Sequence, residues 1–169
     1  HTFCFDGPIF SKPIEFEIGE KVLKSYTLNK DDSQNCHKDS SEEVKNYDHI
    51  SLPKELATAL KEYNEKNYQG SIPHFEAYLQ DQSQNTKAIF LYSLANLEVN
   101  NIKTAIPNLE EVRKRKEEDL ELYEDATWYL ALAQTKNKQN KIAIDLLTEL
   151  IDGKSSFYGN KAASLTSQL

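Results

Sequence analysis

The chain has 169 residues, 38% of them hydrophobic and 28% charged, with a net charge of -7 and a pI near 5.2. That is enough apolar material for the core of one domain. The acidic balance excludes a nucleic-acid partner, because no basic field exists to displace counterions from phosphates. The basic run at residues 113–116 is followed at once by Glu117, Glu118 and Asp119. No apolar stretch approaches the roughly 20 residues that span a bilayer, and no signal-peptide pattern is visible, so this segment is expected not to insert into a membrane. The sequence contains no Met, as expected of a processed form or an excised piece of a longer chain.

The first fifty residues read as an extended segment. Ile14-Glu15-Phe16-Glu17-Ile18 alternates apolar and polar residues, Gly19-Glu20 follows, and then Lys21 to Leu28. Alternation broken by a Gly predicts a strand, a turn and a short hairpin. Such a hairpin is marginal unless it packs on something. Residues 29–41 lack apolar spacing and read as a polar linker. Cys4 and Cys36 both fall in this part, and both a disulfide and two free thiols are compatible with it. Asp31, Ser33, Asn35, His37, Asp39 and Glu42 repeat the ligand spacing of an EF-hand calcium loop. Cys36, however, stands where that loop requires Gly, and strand rather than helix is predicted before it. A chance match in a polar linker is the favoured reading.

From Leu52-Pro53 onward the signal is helical, with Pro suited to a first turn. Leu56, Ala59, Leu60 and Tyr63 share one helical face. Residues 64–70 break that pattern, and the spacing predicts further helices over 72–79, 88–99, 102–112, 126–135, 142–151 and 158–169. Short connections make neighbours antiparallel. The expected fold is therefore all-α over residues 52–169, preceded by the segment 1–50.

An internal period runs through these helices. Ser71-Ile72-x-x-Phe75-x-x-Tyr78, Ala105-Ile106-x-x-Leu109-x-x-Val112 and Ala143-Ile144-x-x-Leu147-x-x-Leu150 share one pattern. Their small residues stand 34 and 38 apart, and twelve positions before each is another small residue, Ala59, Ser93 or Ala131. Helices cross closely only where side chains are small. Residues 53–169 thus resemble the tetratricopeptide repeat family, whose helix-turn-helix period is about 34 residues. The departures are Ser71 in place of the usual Ala, no Gly at the first-helix small position and no Pro closing each repeat. The resemblance implies a TPR-like solenoid of three hairpins plus a C-terminal capping helix. In that cap Tyr158, Ala162, Leu165 and Leu169 would be buried, with Lys161, Ser164, Thr166 and Gln168 outward. Phe157-Tyr158-x-x-Lys161-Ala162-x-x-Leu165 also resembles the C-terminus of certain bacterial membrane-anchored repeat proteins, which implies a soluble, extracytoplasmic region.

No catalytic constellation is legible. The sequence lacks a phosphate-cradling Gly loop, a Gly-x-Ser-x-Gly elbow and a His-Glu-x-x-His helix. His1, His37, His49 and His74 are scattered, and neither a cofactor nor a metal is expected. The family register turns Phe90, Leu91, Leu94, Trp128, Tyr129 and Leu132 toward a concave groove, where aromatic residues suit a protein or peptide partner. The same residues also read as core packed within the stack. No Lys, Asn and Arg set is present to clamp a peptide's terminal carboxylate. Three functions stay open: an interaction scaffold, a homo-oligomerising module, and a calcium-binding accessory domain.

Overall fold

The computed structural model describes residues 53–169 and, before them, the backbone of β1 (Ile14–Ile18) and β2 (Lys21–Ser25), paired antiparallel with Ile14 opposite Ser25 and Ile18 opposite Lys21. The polar linker, the two cysteines and the calcium-like loop lie outside the described residues.

From residue 53 onward the chain is helical: α1 (Lys54–Asn64), α2 (Tyr68–Asp81), α3 (Thr86–Glu98), α4 (Ile102–Arg113), α5 (Leu120–Lys136), α6 (Asn140–Asp152) and α7 (Gly159–Thr166). The starts follow local chemistry. Asn67, Asn85 and Asp119 each accept a backbone N–H three residues on, at 3.1, 3.0 and 2.9 Å, which satisfies a donor the helix cannot pair internally. The Asp119 cap explains why α5 begins six residues before its apolar spacing does. Its first turn carries Glu121 outward while Leu122 is buried.

Each helix packs on the next in sequence, and α3 also reaches α5. The path therefore zigzags between odd- and even-numbered helices. Lys66, Asn100 and Lys138, the left-handed residues between the paired helices, have φ of 62, 63 and 61°. They stand 34 and 38 residues apart, the same intervals as the small residues. Each turn closes alike. The N–H after the left-handed residue returns to a carbonyl five back: Asn67 to Glu62, Asn101 to Asn96 and Gln139 to Gln134, at 2.9, 2.7 and 2.9 Å. Left-handed backbone strains a side chain with a Cβ. Lys138→Gly is thus expected to stabilise the chain by about 0.5–1 kcal/mol in urea unfolding; a loss of stability would mean that the lysine side chain holds the turn.

The core follows the period. Ala59, Ser93 and Ala131 in the first helix of each pair, and Ser71, Ala105 and Ala143 in the second, are all 0% exposed. The two serines can be buried because each hydroxyl donates to its own helix, Ser71 to the Tyr68 carbonyl at 2.8 Å and Ser93 to Ile89 at 2.7 Å. Phe75, Leu109 and Leu147, one turn beyond the second set, are closed to solvent as well. Two arginines tie the pairs together. Arg113 reaches Thr127 and Glu149, at 2.9 and 2.7 Å, joining α4, α5 and α6. Arg115 donates to the Gln84 carbonyl and the Thr86 hydroxyl at 2.5 and 2.7 Å, fastening the loop after α4 to the start of α3 and the loop before it.

Candidate partner-binding face

α3 and α5 position the residues that the spacing assigns to a groove. α3 is apolar on every side, and all ten residues from Ala88 to Leu97 are buried. Phe90, Leu91 and Leu94 are therefore closed to solvent at 0, 0 and 1% exposure. Tyr129 on α5 is closed too, its ring 5.9 Å from that of Phe90 in an edge contact. Trp128 and Leu132, one helical turn apart, are half-buried and keep open surface. The structure thus brings the six residues onto two adjacent helices but divides them into four of the core and two of the surface.

The open pair faces α7. Trp128 stacks on Tyr158 with centroids 5.2 Å apart and planes 18° apart. The Tyr158 hydroxyl donates to Asp125 Oδ1 at 2.6 Å. Burial, and then the Asp125 carboxylate, push that phenol far above its usual range, so it stays protonated and donating. Ser155 anchors the start of the same turn by donating to Glu124 at 2.7 Å and accepting from the Tyr158 N–H at 3.2 Å. With Tyr158 fixed, α7 lies beside α5, and a shallow cleft of about 410 Å³ opens between them. Trp128, Leu132 and Leu165 supply its apolar floor, and Lys161, Ser164 and Gln168 its rim. The Lys161 ammonium sits 3.9 Å from the Phe157 ring centroid. This arrangement presents an aromatic face, two leucines and a cation, which suits burial of apolar side chains of a partner beside an acidic or carbonyl group. Proton transfer or nucleophilic chemistry would need convergent titrating groups, which this cleft does not contain. Among the described residues no three His, Cys, Asp or Glu side chains gather as metal ligands, and no helix is long and apolar enough to cross a membrane.

Sequence reasoning did not find the α7 side of this cleft. Leu165 reads simply as a buried cap residue, and its approach to Trp128 depends on how α7 docks. His74 pairs with Glu55 through Nδ1 at 2.7 Å between α2 and α1.

Glu98 at the end of α3 is a second feature that the spacing does not reveal. Its Oε1 and the Tyr63 hydroxyl are closed to solvent without a hydrogen-bond partner. Burial holds the Glu98 carboxyl above its usual range, opposed by Lys136 and Lys66. The folded chain therefore binds this proton more tightly than the unfolded chain. Its contribution to stability is fully present below the ordinary glutamate value and is lost as pH rises through the raised one. Glu98→Gln is accordingly expected to raise the melting temperature at neutral pH, by the equivalent of up to about 1 kcal/mol. The gain should fade as pH falls below about 4. Paired thermal melts from pH 4 to 8 check this, and a gain independent of pH would contradict it.

No family model matches the chain, and neither does any curated protein or solved structure. What stands is the class the fold defines, a mostly helical protein of consecutively packed helices.

Proposed function

We propose that the chain is a non-catalytic protein-interaction module. In this reading α1–α6 form three TPR-like hairpins of a solenoid, α7 is its cap, and the N-terminal segment carries a short hairpin. The recurrence of left-handed turns, buried small residues and large core residues at intervals of 34 and 38 supports the repeat. The observation that carries the function is the cleft between α5 and α7, where Trp128 and Leu132 keep open apolar surface beside Lys161. A partner places an extended peptide or an amphipathic helix there, with apolar anchors on the Trp128 face and an acidic group near Lys161.

The test is capture of binding proteins from the source cell by the native chain and by Leu132→Arg, once the variant is shown to keep the native melting curve. A protein held by the native chain and reduced at least tenfold with the variant is the expected result, since a charge in the floor of a small apolar site removes on the order of 2 kcal/mol or more. Equal retention by both would place the binding surface elsewhere. Self-association is a second reading, favoured by Leu120 and Ile142, which are large apolar residues 56 and 44% exposed. Light scattering of the purified chain separates the two, since self-association gives a mass that rises with concentration.

A further inference from the structure

Among the described residues two large apolar side chains stand exposed, Leu120 at the start of α5 and Ile142 at the start of α6. They belong to one face. Leu120 shares a cleft of about 660 Å³ with Tyr123 of its own helix and with Asp145, Glu149 and Asp152 of α6. Ile142 precedes Asp145 and Glu149 by three and seven residues, which puts it on the cleft's side of α6. The ends of this face carry opposite charge. Exposed Lys138 and Lys141 accompany Ile142, whereas Asp152, also exposed, lines the cleft with Leu120. Both signs run against the helix, since α6 has no acidic residue in its first turn and no basic one in its last. The helix dipole favours the reverse. Among the described residues no ion pair engages Lys138, Lys141, Asp145 or Asp152. Lys141 and Asp152 are eleven residues apart on one helix, about 16 Å, and cannot meet within a single chain.

We propose that this face pairs with the same face of a second copy, about a two-fold axis near the middle of α6. The inference rests on the self-association reading and names the surface that carries it. A two-fold contact is self-complementary, so that a residue meeting another is met by it in return. With the two α6 helices laid antiparallel, Ile142 of each copy enters the cleft at Leu120 of the other. Lys141 then stands against Asp152, and both ends are satisfied at once. Two apolar side chains per copy leave water, and charges that oppose their own helix gain partners. The net charge of -7 on each copy resists approach. At physiological ionic strength, however, the Debye length is about 8 Å, so distant charges are screened more than pairs in contact. The cleft at Trp128 shares no residue with this face, so a dimer leaves those lining residues out of the contact.

The test is sedimentation equilibrium of the full-length chain from about 10 μM to about 1 mM, a range that covers weak dimers. It is repeated with Asp152→Lys, with Lys141→Glu and with an equimolar mixture of the two. Each substitution agrees with the helix dipole, so both variants are expected to melt no lower than the native chain. The native mass should rise with concentration and level at two chains. Each variant alone should dimerise at least tenfold more weakly. The mixture should recover the native behaviour, because the two introduced charges then face each other and the two native ones do likewise. A native chain that stays single throughout would overturn the proposal and the self-association reading together. Dimerisation undiminished in both variants, or not recovered in the mixture, would overturn this surface alone. A mass beyond two chains would overturn the two-fold arrangement.

Discussion

Phe90→Glu is expected to unfold the helical domain rather than to open or empty a binding face. The ring is 0% exposed and makes an edge contact with Tyr129, itself 1% exposed. Losing a buried Phe removes about 3–5 kcal/mol. A carboxylate in the same space adds a desolvation penalty. The sum approaches the whole stability of an ordinary domain, about 5–15 kcal/mol. Circular dichroism should show most of the helix signal lost at 25 °C, or a melting transition lowered by tens of degrees. A folded Phe90→Glu protein with a near-native transition would mean that this ring faces solvent. The contrast with Leu132→Arg is informative, because Leu132 is only half-buried and its variant is expected to stay folded.

Removing residues 154–169 has the second large effect. α7 packs on α6, and its turn supplies Tyr158, Ala162 and Leu165 to the core at 0, 0 and 4% exposure. The Trp128–Tyr158 stack and the hydrogen bond to Asp125 leave with it. At about 1.5–3 kcal/mol for each large apolar side chain, counting both faces of the contact, the loss is on the order of 5 kcal/mol. That corresponds to a melting temperature lower by about 20 °C, or to an insoluble product, since an uncovered end exposes apolar surface. An unchanged melting curve would show that α7 does not cap the stack.

Residues spaced for a helix were legible wherever one face had to be buried. The strings around Phe75, Leu109 and Leu147 mark helices that the structure places with only their ends moved, because ends depend on caps such as Asn67 and Asp119 rather than on periodicity. The start of α5 was illegible for that reason, since a run of Glu, Asp and Lys reads as a loop until the cap is seen. α3 shows a different limit. A helix apolar on every side has no preferred direction, so spacing alone cannot separate Phe90, a core residue, from Trp128, a surface one. The left-handed turns were illegible because Lys and Asn, rather than Gly, occupy them. The Leu165 side of the cleft depends on packing between helices far apart in sequence, which no local pattern encodes.

The central claim is that a protein partner is taken at the cleft between α5 and α7, and the chain's single Trp, Trp128, reports on it directly. The measurement is iodide quenching of Trp128 fluorescence in the full-length chain, alone and saturated with the protein it captures. The account predicts an accessible indole in the free chain and at least several-fold slower quenching in the complex. An indole equally accessible in the saturated complex would contradict it.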